Sequence, residues 1–342
     1  IIILAILGLF ILYSAGNRQT GIVLSQISHL IMALIALIVF AQIPPWMYER
    51  WSPWFYGFSL LILGAVLVAG HMSLGAQRWI NLGFIRFQPA DLMRIAIPMM
   101  LAHFFAHRQL PPSFKALCMA LLIILVPTLL TAKQPDLGSA IVLFLTGACV
   151  LLLAGMRWRY IVGAIIILAL LAPILWHFLH LYQQQRILTF LSPERDPLGA
   201  GYHIIQSKIA VGSGGFWGKG WLAGTQSHLN FIPEHATDFI FAVIGEEFGF
   251  FGGLLLIILN LAIVARCLYI ASVAQETYTR LLSGSIGLMF FLSVFINIGM
   301  VTGLMPVVGL PLPMVSYGGT SLITLFASFG IVMSISGHRK IL

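Results

Sequence analysis

Charged side chains are scarce in this sequence. Only 8% of its 342 residues are Asp, Glu, Lys or Arg, whereas 60% are hydrophobic. A soluble domain carries roughly 25% charged residues and could not cover its surface in water with so few. The composition therefore excludes an ordinary soluble protein and predicts that lipid surrounds most of the chain. The net charge of +8 does not indicate nucleic-acid binding, because the Lys and Arg residues are scattered singly between apolar runs.

Cysteine pairs and the common catalytic motifs are also missing. The three cysteines form no CxxC pair and lie in or at the ends of apolar runs, so we interpret them as small hydrophobic residues. The Gly-rich stretch 212–220 lacks the GxxxxGK[ST] spacing, which argues against an ATP-binding P-loop. HExxH and GxSxG do not occur, and His235 and Asp238, three residues apart, are too few for a zinc site.

Apolar runs long enough to cross a bilayer make up most of the chain. A membrane helix needs about 20 mainly apolar residues, because the hydrocarbon core is about 30 Å thick and each residue rises about 1.5 Å. We therefore predict an all-α integral membrane protein, one polytopic domain over residues 1–342 with about ten transmembrane helices. The predicted spans are 1–15, 22–43, 54–70, 89–106, 114–132, 137–156, 159–179, 239–265, 281–303 and 318–337.

A long polar connection at 180–238 separates the seventh and eighth predicted spans. Connections of this length are usually functional or disordered, and Phe216, Trp217, Trp221 and Phe231 argue against disorder. If the N-terminus is cytoplasmic, Lys and Arg are about twice as frequent in the inner loops as in the short outer loops. This bias predicts cytoplasmic termini and an outer location for the long connection.

Ionisable residues within apolar runs are rare and usually functional. Asp91 and Arg94 open the fourth span at i,i+3 spacing, which lets them pair on one helix face. The pair could line a polar cavity for substrate head groups or lock helices together, and the sequence favours neither. Glu246 and Glu247 in the eighth span point about 100° apart. We expect one of them to line a cavity or contact the long connection, and a structural role is equally open.

Asp238 stands where the long polar connection meets the apolar run 239–244. It should therefore lie at the membrane surface, where a lipid-linked substrate could reach it. A carboxylate beside apolar walls binds its proton more tightly, which suits a general base. The alternative is a helix N-cap, for which both Thr237 and Asp238 are suitable residue types.

Further polar residues fall on the same predicted side of the membrane. Asp136 opens the sixth span, where N-capping is slightly favoured over a role in a site. Cations on this side could bind a pyrophosphate, because a guanidinium offers a bidentate fork and an ammonium a point charge. The alternative for each is an ordinary interfacial cation; the four candidates are Arg78, Arg86, Arg186 and Lys208.

A proline-rich turn at 305–313 leads into Ser316 and the glycine pair at 318–319. The prolines stiffen the turn, and the glycines free the backbone just before the tenth span. Such a rigid apolar segment at the surface could guide a lipid tail, or it could be a tight connector.

Several long motifs in a fixed order resemble the SEDS family (shape, elongation, division and sporulation) across essentially the whole chain. The stretches 183–186 and 206–209 are closer to its RodA branch than to its FtsW branch. One departure is Asp91 followed by Arg94, where the family often has Glu and Lys, although charge signs and spacing survive. The matching stretches are 75–79, 86–89, 134–138, 196–207, 212–215, 218–220, 237–242 and 311–319.

The resemblance implies a ten-helix fold in the bacterial cytoplasmic (inner) membrane, with cytoplasmic termini and a large periplasmic loop between the seventh and eighth spans. It implies polymerisation of lipid II, the undecaprenyl-pyrophosphate-linked disaccharide-peptide, into glycan strands for cell elongation and rod shape. It also implies a class B penicillin-binding protein and other elongation-complex membrane proteins as partners. The essential aspartate of the family falls on Asp238.

The mechanism that follows is a hypothesis of inverting glycosyl transfer. Asp238 takes the proton of the acceptor sugar 4-hydroxyl, and Arg186, Lys208 and a divalent cation (Mg²⁺ or Mn²⁺, ligands unknown) stabilise the leaving pyrophosphate. The competing hypothesis is a lipid II flippase, which the clustering of polar groups on one face disfavours. The candidate substrate-binding residues are Arg78, Asp91, Arg94, Asp136, Arg186, Lys208, Glu247 and Ser316.

Overall fold

The structure, a computed structural model, describes residues 1–69, 71–73, 76–81, 86–178, 181–192, 200–228 and 234–338. Most of these residues are helical. The helices are α1 (Ile2–Ala15), α2 (Thr20–Gln42), α3 (Pro45–Ala69), α4 (Pro89–Ala106), α5 (Phe114–Lys133), α6 (Leu137–Leu153), α7 (Trp158–Phe178), α8 (Leu181–Leu191), α9 (Ala200–Ser213), α10 (Thr225–His228), α11 (Ile240–Val273), α12 (Thr277–Val301) and α13 (Thr320–Gly337).

Each predicted span coincides with a helix, and the helical class of the prediction is confirmed. By length and composition, α2, α5, α11, α12 and α13 are apolar enough to cross a membrane. Helices α1 and α6 and the Trp158–Ile174 part of α7 are apolar but shorter. Helix α3 begins at Pro45, nine residues before the predicted start at 54. Hydropathy did not indicate this earlier start, because the first turns of the helix carry Glu49 and Arg50 and lack a continuous apolar run.

A small antiparallel sheet lies between α3 and α4 and was not predicted. Its strands are β1 (His71–Ser73), β2 (Ala76–Asn81) and β3 (Arg86–Phe87), in the order β1-β2-β3. His71 pairs with Trp79 and Ile80 with Phe87. Glycines interrupt this segment every few residues, which favours turns and short strands over a helix. Strands β1 and β3, with 3 and 2 residues, are also too short to produce the alternating pattern that identifies a strand in a sequence.

Close helix packing forms the interior, and large apolar side chains cover the outside. Helix α13 packs on α2 at Gly330, where an added Cβ would lie 2.6 Å from the Leu37 carbonyl oxygen. Small residues that let backbones approach are typical of helix contacts in lipid. Exposed apolar side chains such as Trp54, Leu61 and Leu170 would be unfavourable in water, so we infer that they face lipid.

Four helices begin at the same end of the bundle. Gln88, before α4, donates from Nε2 to Asp136 Oδ2 at 2.9 Å, and Asp136 immediately precedes α6. Thr320 at the start of α13 contacts Asp91 in the first turn of α4. The peptide nitrogen of Tyr317 donates to the Ala236 carbonyl at 2.9 Å, which brings the start of α11 to the same place. The positive ends of four helix dipoles therefore point toward one region.

Candidate functional site

Asp238 lies at the end of the bundle where α4, α6, α11 and α13 begin. Its side chain is half-buried, and an added Cβ on Gly309 would lie 3.7 Å from its Oδ2 atom, so the carboxylate faces the proline-rich segment. The N-cap of α11 is Phe239, so the N-cap alternative for Thr237 or Asp238 is wrong. A carboxylate with one side against protein and one side open is suited to meeting a substrate.

Asn297 on α12 holds the backbone of Asp238. Its Nδ2 atom donates to the Asp238 carbonyl at 2.8 Å and to the Leu310 carbonyl at 2.6 Å. This side chain is fully buried, and it joins the carboxylate-bearing segment to the proline-rich segment. Asn297 was not predicted as a site residue, because a single Asn within an apolar run gives no sign of distant backbone partners.

Ser316 makes a second link between the same two segments. Its hydroxyl donates to the Thr237 carbonyl at 2.5 Å and accepts from the Leu312 peptide nitrogen at 2.8 Å. Ser316 is 4% exposed and both bonds are to backbone. We infer that it holds the segment in place, and its predicted role in substrate binding stays a prediction. The proline-rich segment is accordingly a wall of the site.

Replacing Asn297 with Ala tests this positioning. We expect the kcat for substrate turnover to fall about tenfold to 100-fold with KM little changed, because a small displacement of a reacting group is costly. The matched control is Asn260→Ala, since Asn260 is also buried but, among the described residues, donates only to the Leu256 carbonyl of its own helix, at 2.8 Å. Equal losses of kcat in the two variants would contradict a positioning role for Asn297.

Asp91 and Arg94 line a cavity beside the site and also pair with each other. Arg94 Nη1 lies 3.4 Å from Asp91 Oδ1, and Thr320 Oγ1 donates to Asp91 Oδ2 at 3.1 Å. The cavity is otherwise bounded mainly by the proline-rich segment, α12 and α13. Arg94 Nε is buried without a hydrogen-bond partner among the described residues. The two alternatives left open by the sequence are therefore both compatible with the geometry.

Asp136 is the N-cap of α6. Its Oδ1 atom accepts from the Ser139 peptide nitrogen at 3.1 Å, and its Oδ2 atom accepts from Gln88 at 2.9 Å. The favoured N-cap interpretation is thus confirmed. The side chain is 5% exposed, so it contributes to the site by tying the starts of α4 and α6 together.

Helix α9 of the long connection docks against the end of α12. Ser207 Oγ donates to the Val301 carbonyl at 2.9 Å. Lys208 lies over Gly303, where an added Cβ would be 2.7 Å from the ammonium nitrogen. Lys208 is exposed, so its charge is available to an anion above the end of α12. Asn297, which holds Asp238, lies one turn before Val301 on the same helix.

His203 on α9 is a second residue that the sequence analysis did not single out. Its ring stacks on Phe239, the residue after Asp238, with ring centroids 6.0 Å apart. Burial lowers the pKa of the imidazole, and the nearby Glu234 carboxylate opposes this effect to a smaller extent. Its Nδ1 atom is buried without a hydrogen-bond partner in the described part of the chain. The neutral form of the imidazole is therefore favoured beside the segment that carries Asp238.

Glu246 and Glu247 both bind other parts of the protein. Glu247 Oε1 accepts from Ser14 Oγ at 2.5 Å, which ties α1 to α11, and its predicted role in substrate binding stays a prediction. Glu246 Oε1 accepts from Lys219 Nζ at 2.7 Å and from the Thr225 peptide nitrogen at 2.8 Å. The expectation that one of the pair contacts the long connection is confirmed for Glu246. The two point apart because neighbouring helix residues are about 100° apart.

The Gly-rich stretch 212–220 is a docking loop for α11. An added Cβ on Gly214 would lie 1.9 Å from the Gly245 carbonyl oxygen, so only glycine fits. The Lys219 peptide nitrogen donates to the Glu246 carbonyl at 3.0 Å. Gly249, at φ 65° within α11, breaks the helix where the loop packs. These backbone contacts hold the loop against α11.

Removing the charge of Glu246 should loosen this loop. We expect Glu246→Gln to lose about 2 kcal/mol of stability, the scale of a hydrogen bond to a charged group. Trypsin should then cleave faster after Lys219, and the thermal unfolding midpoint in detergent should fall. Glu276→Gln, at an exposed acid before α12, is the control. Unchanged cleavage in Glu246→Gln would show that the backbone contacts alone hold the loop.

Three predicted pyrophosphate ligands cannot be assigned from side-chain geometry. Arg78 lies on β2, Arg86 on β3 and Arg186 on α8, but their side chains fall outside the described part of the structure. The roles of Arg78, Arg86 and Arg186 therefore stay predictions.

Comparison with known proteins agrees with the motifs. The peptidoglycan glycosyltransferase MrdB of Escherichia coli K12 is 52% identical over 345 residues, covering 100% of this chain and 93% of the relative. MrdB of Helicobacter pylori 26695 is 38% identical, covering 85% of this chain and 77% of the relative. The FtsW/RodA/SpoVE family, described as cell cycle proteins, matches residues 1–341.

Solved structures are similar over nearly the whole length. A chain from a peptidoglycan synthase complex that coordinates polymerization and crosslinking superposes with a TM-score of 0.86 at 34% identity, covering 98% of this chain and 95% of that one. The rod shape determining protein RodA of Thermus thermophilus superposes with a TM-score of 0.74 at 26% identity, covering 99% and 95%. The resemblance predicted from the motifs is thus confirmed, and the chain belongs to the FtsW/RodA/SpoVE family of cell cycle proteins.

Proposed function

We propose that this chain is a peptidoglycan glycosyltransferase that polymerises lipid II into glycan strands for cell-wall elongation. The observation that carries the proposal is the half-buried carboxylate of Asp238 at the end of the bundle where four helices begin. Asn297 fixes the backbone of this residue by donating to its carbonyl oxygen. The two relatives that match 100% and 85% of the chain are named as peptidoglycan glycosyltransferases, which supports the same reaction.

The reaction transfers a glycan strand from one lipid carrier to another. Asp238 accepts the proton of the acceptor sugar 4-hydroxyl while that oxygen bonds to the donor anomeric carbon. The bond from this carbon to the pyrophosphate breaks, and undecaprenyl pyrophosphate leaves with the electron pair. One base suits a direct displacement, which inverts the anomeric carbon from alpha to beta.

The departing pyrophosphate needs positive charge close to its oxygens. The starts of α4, α6, α11 and α13 direct partial positive charge toward this end of the bundle. Lys208 adds a full charge over the end of α12, and Arg94 adds another in the adjacent cavity. Arg78 and Arg186 remain candidates from the sequence.

A divalent cation, Mg²⁺ or Mn²⁺, is the cofactor that the proposed reaction suggests. Among the described residues, the group of three His or acidic side chains close enough to hold an ion lies far from Asp238. The described residues at the site therefore do not offer a complete ligand set. Mg²⁺ is often held by one or two carboxylates together with substrate phosphates. No step of the mechanism is assigned to the ion.

The proposed setting is the bacterial inner membrane. In this arrangement the chain is one polytopic domain with ten spans, both termini are cytoplasmic, and the connection at 180–238 is periplasmic. The Lys and Arg bias between loops supports this orientation. A class B penicillin-binding protein is the proposed partner, because a solved chain with the same fold belongs to a synthase complex that couples polymerization to crosslinking.

A polymerisation assay tests this function directly. The purified chain, with and without the proposed partner, is supplied with labelled lipid II and Mg²⁺, and the products are separated on a gel. We expect a ladder of glycan polymers. Transfer of labelled lipid II across vesicle membranes without any polymer would overturn the proposal and favour the flippase alternative.

A further inference from the structure

Three metal-ligating side chains meet at the end of α4 that is remote from Asp238. They are Glu49 in the second turn of α3, His103 in the last turn of α4, and His107 just after α4. One ligand atom from each lies within 4.8 Å of the other two. The centroids of the two imidazole rings are 5.1 Å apart.

The fold brings these residues together for a simple reason. Residues four apart share one face of a helix, so His103 and His107 lie side by side at the end of α4. Helix α3 packs against α4, with its start beside the end of α4. Glu49 Oε1 is consequently 3.9 Å from His107 Nδ1. The start of α4, by contrast, contacts Asp136 through Gln88 at the glycosyl-transfer end.

A second observation indicates that the cluster suits a cation. His103 Nδ1 is buried, yet it has no hydrogen-bond partner among the described residues. Buried polar atoms nearly always have a partner, so an isolated one needs an explanation. His107 Nδ1 lies 3.2 Å from the His103 carbonyl oxygen. When Nδ1 carries the proton and donates to this carbonyl, Nε2 is the nitrogen left to bind an ion, an arrangement that is common for metal-ligating imidazoles.

We propose that Glu49, His103 and His107 form a binding site for a divalent transition-metal ion, with Zn²⁺ as the best match. Two imidazoles and one carboxylate are a ligand set that suits Zn²⁺, whereas Mg²⁺ and Ca²⁺ prefer oxygen ligands alone. Three protein ligands leave a fourth tetrahedral position for water. His107 is largely exposed, with 67% side-chain exposure, so an ion can enter without unfolding the bundle.

The bound ion would act as a clamp between α3 and α4. Helix α4 also carries Asp91 and Arg94 at its other end, so the clamp would fix the helix that lines the cavity. An ion that binds only the folded chain raises the unfolding midpoint as its concentration rises. The site is separate from any cation that accompanies the pyrophosphate, because the two lie at opposite ends of α4.

The test uses the full chain in detergent, purified without a polyhistidine tag and stripped of metal. Co²⁺ binding is followed by visible absorption, and Zn²⁺ affinity by competition with a coloured chelator. We expect one ion per chain, a higher unfolding midpoint with Zn²⁺, and no displacement by excess Mg²⁺. His103→Gln and Glu49→Gln should each weaken Zn²⁺ binding at least tenfold.

Two further variants separate the loss of the metal site from a loss of folding. His107→Gln changes an exposed side chain, so it should fold normally and still lose affinity at least tenfold. His177→Gln, at an exposed histidine of α7, should retain wild-type affinity. Equal affinity in wild type and His107→Gln, an equal loss in His177→Gln, or binding only at millimolar Zn²⁺ would each overturn the proposal.

Discussion

Asp238→Asn is expected to abolish glycan polymerisation while the protein remains folded. The substitution keeps the size of the side chain and removes its ability to accept a proton. General-base catalysis typically contributes about 10²–10⁴-fold to a rate, so polymer formation should fall at least 100-fold. The backbone contact from Asn297 to the Asp238 carbonyl does not depend on the carboxylate, so the local fold should persist. Labelled lipid II and gel separation measure the loss.

The matched control for this variant is Glu234→Gln. Glu234 is an exposed acid four residues earlier, and a Gln there can still accept from Thr237, whose hydroxyl lies 2.7 Å from Glu234 Oε2. We expect this variant to polymerise lipid II at close to the wild-type rate. Thermal unfolding of both variants shows whether they are folded. If Asp238→Asn kept more than a tenth of the activity, Asp238 could not be the base.

Arg94→Gln is expected to destabilise the protein by about 3 kcal/mol. Asp91 is 2% exposed and would be left as a buried charge without its cation, which is the costly way to break an ion pair. The double variant Asp91→Asn with Arg94→Gln should recover most of this stability, because neither charge remains. Unfolding midpoints of the two single variants and the double variant in detergent measure the coupling.

The activity of the double variant decides between the two roles of the pair. Since Arg94 lines the cavity and its Nε atom lacks a partner among the described residues, we expect the stable double variant to show a raised KM for lipid II. A double variant that regains both stability and wild-type KM would instead show that the pair only locks α4 to α13.

The helices and the local pairs could be predicted from the sequence because their causes are local. A span needs about 20 apolar residues, so hydropathy located the apolar helices but not α8, α9 and α10 of the polar connection. The i,i+3 spacing of Asp91 and Arg94 and the capping position of Asp136 are likewise features of a single helix. Asp238 could be predicted as a residue at the membrane surface because a polar segment changes to an apolar one at that position.

Contacts between distant segments required the tertiary structure. Asn297 reaches Asp238 across 59 positions and Ser14 reaches Glu247 across 233, and no periodicity in the sequence encodes either contact. The contact between Ser14 and Glu247 was not predicted, because the sequence could not show that α1 packs beside α11. Glu49 meets His103 and His107 for the same kind of reason. The sequence by itself determined which apolar segments are helices and which residues can pair within one helix, whereas helix packing decided which polar side chains meet, because packing depends on the whole set of apolar faces at once.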